Sequence, residues 1–200
     1  MTFADALRPS AIRPRTATAL FYDAALIVGG SLFVTLAARI SVPLPFSPVP
    51  ITGQTFAVLL TGALLGSRRG ALSLLAYLSE GALGLRVFAG GTGGWGILAG
   101  PTGGYLIGFV FAAFLIGWLA ERGWDRWVHT TALAMLFGNV IIYLFGLPWL
   151  AHFVGADRAL PLGLSPFIPG DLIKLALAAA LLPSGWKLLE RLGFSVTPRG

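Results

Sequence analysis

The sequence predicts an all-α integral membrane protein: a bundle of six transmembrane helices with both termini in the cytoplasm and lid-like outer loops. Three observations carry that expectation. The chain is 56% hydrophobic and only 11% charged, with a mean hydropathy of +0.82, whereas a soluble domain is about 25% charged. Its apolar residues fall into six stretches of roughly membrane length. Its basic residues gather in the connections on one side of those stretches.

A helix needs roughly 20 apolar residues to cross a core of about 30 Å. The first span runs from Thr18 to Ala38. It follows arginines and ends near Leu36-Ala37-Ala38, the layout of a signal peptide, but its apolar run exceeds the usual 7–15 residues, so an uncleaved helix is expected. The second span is Thr52 to Leu65 and the third Gly70 to Leu85, separated only by GSRRG. A re-entrant pair is the alternative for these two. The fourth, fifth and sixth spans are Pro101 to Ala120, Thr130 to Phe153 and Pro169 to Leu189. The corresponding division is a cytoplasmic segment 1–16, a membrane domain 17–191 and a cytoplasmic tail 192–200.

Charge asymmetry sets the orientation. Arg8, Arg13, Arg15, Arg68, Arg69, Arg122, Arg126, Lys187, Arg191 and Arg199 fall on one side. Arg39, Arg86 and Arg158 fall on the other, so the first group is assigned to the cytoplasm. Trp124, Trp127, Trp149 and Trp186 lie near span ends, where amphipathic rings prefer to sit. The net charge of +6 lies in short loops with no basic stripe, which argues against nucleic acid as a partner.

The outer connections are apolar and rich in Pro and Gly. In SVPLPFSPVPITGQ, Pro43, Pro45, Pro48 and Pro50 impose an extended, non-helical course. The others are VFAGGTGGWGILAGPTGG and GADRALPLGLSPFIPG. Phe46, Phe88, Trp95, Leu162 and Phe167 favour burial, so these loops fold either as lids over the bundle or into the headgroup layer. Non-helical backbone at membrane depth is tolerated where it lines a cavity. Gly91 to Gly96 matches G-x-G-x-x-G, but between membrane helices it is no dinucleotide site. Gly90, Gly91, Gly93 and Gly94 more plausibly permit positive φ and close approach to a ligand.

Small residues recur at spacing four: Gly104, Gly108 and Ala112; Gly62 and Gly66; Ala176 and Ala180. Such faces let membrane helices approach closely, within the chain or against a partner. Four ionisable residues fall within spans. Asp171 and Lys174, three apart in FIPGDLIKLALAAALL, share one helix face. Ionisable groups at membrane depth are by default functional candidates. Pro169 suits the first turn of that helix, whose positive dipole end favours an anionic or carbonyl-bearing ligand. A structural ion pair is the alternative. Glu80 is either a third polar contact or a partner for Arg86, and Asp23 is a cytoplasmic-side contact. His129 and His152 stand about 34 Å apart on one helix and cannot share a metal site. No metal or cofactor is expected. With no P-loop, G-x-S-x-G or H-E-x-x-H, the chain carries no ATPase motif, and a membrane-embedded enzyme is the minor reading.

PLPFSPVPITGQT, VFAGGTGGWGILAGPTGGYLIGF and FIPGDLIK together resemble the BioY family of biotin transporters, the substrate-binding (S) components of energy-coupling factor (ECF) transporters. The resemblance runs from the first span to the end of the sixth. It implies a multi-pass protein of the bacterial cell membrane whose outward-facing biotin site is closed by the outer loops. It also implies that Asp171 and Lys174 act on the substrate, and that biotin is the transported ligand, not a cofactor. The glycine-rich loop, Phe88, Trp95 and Phe46 would pack on its apolar part, with Tyr105 a further hydrogen-bonding group. Implied partners, besides membrane lipid, are a transmembrane coupling subunit and two cytoplasmic ATPases, with the S component toppling to release substrate. An S component for another vitamin is the alternative. S components commonly carry Ala-x-x-x-Ala in the first helix. Here Ala19 is followed four residues on by Asp23, and Ala25 by Gly29.

Overall fold

A computed structural model describes residues 1–9, 12 and 16–194; Arg13, Arg15 and Arg199 lie outside the described residues. The helices are α1 (Phe3–Ala6), α2 (Ala17–Ala38), α3 (Gln54–Leu65), α4 (Ser67–Ala82), α5 (Trp95–Leu98), α6 (Gly103–Glu121), α7 (Val128–Val154), α8 (Ala156–Gly163) and α9 (Ile168–Arg191). Four of them, α2, α6, α7 and α9, are long and apolar enough to cross a membrane. The expected second and third spans are the shorter α3 and α4, of 12 and 16 residues.

Two of the Pro- and Gly-rich connections are more ordered than the sequence suggests. The proline-rich one is an antiparallel hairpin, β1 (Ser41–Leu44) and β2 (Ser47–Thr52), so the fold is not purely helical. Its register pairs Ser41 with Thr52 and Val42 with Ile51, and is irregular between Val42 and Leu44, where Pro43 sits. A two-stranded ribbon has two free edges, and proline is tolerated where the missing N–H faces an edge. The segment after α7 folds as α8, with Asp157 in its first turn, where a carboxylate suits the positive helix end. Ser47 Oγ donates to the Leu162 carbonyl at 2.8 Å, tying hairpin to α8.

Close crossings build the core. A Cβ on Gly104 would lie 2.3 Å from Trp149 Cβ and one on Gly108 would lie 3.1 Å from Ile142 Cα, so α6 meets α7 through its glycines. Gly62 stands against the Ala113 backbone, where a Cβ would come within 2.5 Å of the carbonyl oxygen. Ala176 and Ala180, by contrast, are exposed. Between the crossings lie fully buried Val58, Ala112, Ala113, Ile116, Met135 and Ile142.

At the end opposite the hairpin, α1 seals the bundle. Thr2 and Asp5 form a capping box, and the Phe3 ring lies 4.3 Å from that of Trp186. Arg69 bonds Asp5 at 2.8 Å and pairs with Asp23 at 2.9 Å. Glu121 Oε1 accepts from Ser67 N at 2.7 Å and Ser67 Oγ at 2.8 Å, capping α4. Trp186 is not an interfacial ring: it is 2% exposed and donates to the buried Asp125 carboxylate at 2.7 Å. These contacts place the starts of α2 and α4 and the ends of α6 and α9 at one pole, so α6 and α9 run antiparallel to α7.

Candidate functional site

The hairpin end holds a cavity of about 310 Å³, at the lower bound of small-molecule sites, about 300–1,000 Å³. Its walls come from β2, the start of α3, the loop from Phe88 to Thr102, and facing stretches of α6, α7 and α9. Aromatic and aliphatic groups dominate: Phe88, Ile97, Tyr105, Leu106, Phe109, Ile142 and Phe167.

Asp171 and Lys174 both line this cavity, the first in the opening turn of α9 and the second about one turn further in. Asp171 is 8% exposed. Lys174 Nζ lies 3.4 Å from Asp171 Oδ1 and donates to Thr55 Oγ1 at 2.7 Å. The other carboxylate oxygen accepts a short hydrogen bond from the Tyr143 hydroxyl. A carboxylate has about four acceptor sites and an ammonium three donors, so each group keeps capacity for a ligand. The pair is neutral as a whole, and its separated charges suit a ligand that presents both donors and an acceptor.

The loop glycines shape the wall more than they touch it. Gly90 and Gly91 have φ of 66° and 71°, a region L side chains rarely adopt, and turn the chain tightly enough for Phe88 N to donate to the Thr92 carbonyl at 2.9 Å. Gly93 sits where a Cβ would lie 2.2 Å from the Leu85 carbonyl oxygen, and Gly94 N donates to the Gly81 carbonyl at 2.7 Å. The cavity itself is lined by their neighbours Ala89, Thr92, Gly96 and Gly100, and none of Gly90, Gly91, Gly93 and Gly94 lines it. The turn drives Phe88 inward to 1% exposure, edge-on to Tyr77 at 5.4 Å. There it covers Gly81, where a Cβ would fall 2.0 Å from the ring. Gln54 Nε2 donates to Tyr77 OH at 2.5 Å, and that hydroxyl donates to the Val87 carbonyl at 3.1 Å, locking the loop onto α3 and α4.

Other expected residues are placed differently. Tyr105 lines the cavity with its ring, while its hydroxyl donates to the Gly163 carbonyl at 3.0 Å. Trp95 and Phe46 are 71% and 58% exposed and stand outside the lining. Glu80 is also outside it: α4 turns Glu80 toward α2, where its carboxylate accepts from Ser31 Oγ at 2.6 Å. The Arg86 carbonyl instead receives Arg39, at 2.6 Å. Sequence reasoning missed Gln54, Thr55, Asn139 and Tyr143. The signal was present for the last two, polar residues four apart on one face of an apolar helix.

A family model described as the BioY family matches residues 12–191. A biotin transporter BioY of Rhizobium etli is 42% identical over 159 residues, covering 76% of this chain and 85% of its own. A probable biotin transporter BioY of Pyrococcus horikoshii is 46% identical over 154 residues, covering 76% and 90%. Among solved structures, the S-component for biotin from an ECF-type ABC transporter aligns with a TM-score of 0.76 and 30% identity, over 86% of this chain and 94% of the other. With the family match spanning nearly all of the sequence and both relatives well above 30% identity, the chain belongs to the BioY family.

Proposed function

We propose that the protein is the substrate-binding component of a biotin uptake system, a transport protein and not an enzyme. It captures biotin at the outer face of the cell membrane and delivers it inward with an ECF coupling subunit and two cytoplasmic ATPases. The observation that carries this reading is the Asp171–Lys174 pair facing the apolar cavity at the hairpin end. Biotin offers a cyclic urea with two N–H donors and one C=O, an apolar thiophane and chain, and a carboxylate. Asp171 accepts from the urea N–H groups, Lys174 donates to an oxygen of the ligand, and the aromatic walls cover the rest. Charge-assisted hydrogen bonds in a water-poor site are stronger than neutral ones.

In this reading α3 and α4 are the second and third of six crossings, about 18 and 24 Å long at 1.5 Å per residue. The hairpin and the loop from Phe88 to Thr102 fill the thickness they leave. Arg8, Arg68, Arg69, Arg122, Arg126, Lys187 and Arg191 belong to the α1 end, and Arg39, Arg86 and Arg158 to the hairpin end. The positive-inside rule then puts the α1 end and both termini in the cytoplasm. Mass spectrometry of ligand carried through purification, with competition by biotin, riboflavin and thiamine, tests the assignment. Biotin is expected. Retention of another vitamin points to a sister S component, and absence of any small molecule on a folded chain refutes the capture role.

A further inference from the structure

We propose that the end of α2 and the start of the glycine-rich loop form a binding site for the phosphate of an anionic phospholipid, in the leaflet at the hairpin end, held by Arg39 and Arg86. Such a site needs only the membrane placement of these helices and is independent of the ligand in the cavity. Arg39 follows α2 and Arg86 follows α4, so both stand where two neighbouring helices leave the apolar core at the same end. Both are exposed. Neither forms an ion pair among the described residues, where the pairs join Arg69 to Asp5 and Asp23 and Lys174 to Asp171. Glu80, the acid nearest Arg86 in the chain, is engaged by Ser31 Oγ at 2.6 Å, and Ser31 lies about 12 Å down α2 from Arg39 at 1.5 Å per residue.

The loop brings the two arginines together. Arg39 Nη2 donates to the Arg86 carbonyl at 2.6 Å, and Nη1 lies across Gly91, 2.6 Å from where a Cβ would stand. A guanidinium has five N–H donors in a planar fork, so Arg39 keeps donors for an anion after that bond. The Arg86 side chain leaves the Cα next to the same carbonyl and makes no hydrogen bond or ion pair among the described residues, so its head can swing to the same phosphate. Arginine forks match phosphate oxygens bidentately. The surroundings suit a lipid rather than a free phosphate. Leu36 and Ile40 flank Arg39, and Leu83 and Leu85 precede Arg86; all four are exposed, Leu83 to 85%, and offer alkyl surface to acyl chains. Trp95, also exposed, adds an amphipathic ring of the kind found at headgroup level. A Cβ built on Gly84, Gly90 or Gly94 meets nothing within 4 Å, so these loop positions stand in open space. Two unmatched cations with an apolar fringe complement a phosphate above acyl chains.

The lack of cysteine permits a site-resolved test on the full chain in phosphatidylcholine vesicles. A fluorophore on Leu83→Cys reports the lipid beside the arginines, and one on Leu181→Cys, exposed on α9, reports a lipid-facing surface elsewhere. Quenching by doxyl-labelled phosphatidylglycerol is compared with quenching by doxyl-labelled phosphatidylcholine. Near a membrane surface each arginine strengthens anionic-lipid association by about fivefold, so phosphatidylglycerol should be preferred by about 25-fold at position 83 and by less than about twofold at position 181. Arg86→Gln should reduce the preference at position 83 by about fivefold, with melting in detergent unchanged because that side chain holds no protein group. Arg39→Gln combined with Arg86→Gln should abolish it. Water-soluble glycerol phosphate should not compete, since it has no chains to lay on the leucines. Equal quenching by the two lipids at position 83 overturns the inference. So does a preference of the same size at position 181, which marks general charge attraction, or one that survives the double variant. Competition by glycerol phosphate overturns the lipid assignment. A label at position 181 that neither lipid quenches refutes the membrane placement and takes the inference with it.

Discussion

Replacing Lys174 by methionine removes the cation while keeping most of the side-chain volume. Opposite charges at the observed 3.4 Å attract by about 5 kcal/mol at an effective dielectric near 20. Removing one member of a buried pair is destabilising by about 3–5 kcal/mol, because the other is left desolvated and unmatched. Asp171 would keep only the Tyr143 hydroxyl, and the ligand would lose its charged donor. We expect biotin affinity to fall by at least about a hundredfold, or roughly 2.7 kcal/mol, with insertion and the elution profile preserved because the pair sits apart from the α6–α7 and α3–α6 crossings. The double variant Asp171→Asn, Lys174→Met separates ligand binding from helix tethering: removing both charges relieves the stranded one, so melting recovers while binding does not. Calorimetry in detergent and thermal melting read the two quantities. Wild-type affinity in Lys174→Met refutes the reasoning, and so does recovery of wild-type affinity in the double variant.

Three further outcomes follow from the same geometry. Gly81→Ala places a methyl within 2.0 Å of the Phe88 ring and should lower stability by about 1–3 kcal/mol and weaken biotin, read by melting and calorimetry. Burial pushes the Asp125 carboxyl up to about 6 from 3.8, against the Trp186 hydrogen bond and the charges of Arg126 and the N-terminus. Its contribution is full below the unfolded value and lost as pH rises through about 6, so melting temperature should climb from pH 7.5 to 5. Asp125→Asn should flatten that climb and stabilise at pH 7.5 by on the order of 3 kcal/mol, the equivalent of about two pH units. Burial raises the Asp5 carboxyl, but the Arg69 and Thr2 hydrogen bonds outweigh it and hold it below 3.8; its contribution is lost only in stronger acid, outside this window. Phe3→Ala removes the ring packed on Trp186 and should cost about 1–3 kcal/mol in melting, with biotin affinity unchanged at the far end of the bundle.

The site was most legible where a residue contradicts its surroundings. Asp171 and Lys174 stand out because charges are costly in an apolar span, and Pro169 marks the helix start that orients them. Asn139 and Tyr143 break the same apolar pattern, but neutral polar groups are weaker signals, and only the cavity distinguishes a ligand contact from a helix contact. The glycine-rich loop reads plainly as a loop. Which glycines meet a ligand and which permit the turn depends on φ values and on the partner of Phe88, and neither is a local property of the sequence. Trp186 was misplaced for a related reason. Its position near a span end suits an interfacial ring, and the buried carboxylate that captures it is 61 residues away. The hairpin was legible as extended chain from its prolines, but its pairing is set by register. α8 was hidden by Pro161 and Gly163, two of the last three residues of an eight-residue helix.

Delivery of a ligand from this cavity to the opposite side has a physical constraint. From the cavity toward the α1 end, the fully buried Val58, Ala112, Ala113, Ile116 and Met135 fill the space. The helices around them touch through backbone: α3 on α6 at Gly62 and Ala113, and α6 on α7 at Gly108 and Ile142. Packed interiors are not continuously deformable, and opening a passage would strip many such contacts at once. Rigid-body reorientation of the whole bundle keeps them, which agrees with a carrier that works against a separate coupling subunit. The chain has no cysteine, so the seam can be locked selectively. The rings of Phe111 and Phe145 stack 4.6 Å apart across α6 and α7 and both are accessible, 50% and 37% exposed. Cysteines at these two positions, joined by a short bifunctional thiol reagent, should leave biotin binding, and ATP-dependent uptake in vesicles that also hold the proposed coupling subunit and ATPases, within about twofold of the unlinked variant, since locking a seam that never parts has no coupling free energy with transport. Uptake abolished by the link while binding persists would mean that the ligand passes between α6 and α7, and that the bundle opens instead of turning as one body.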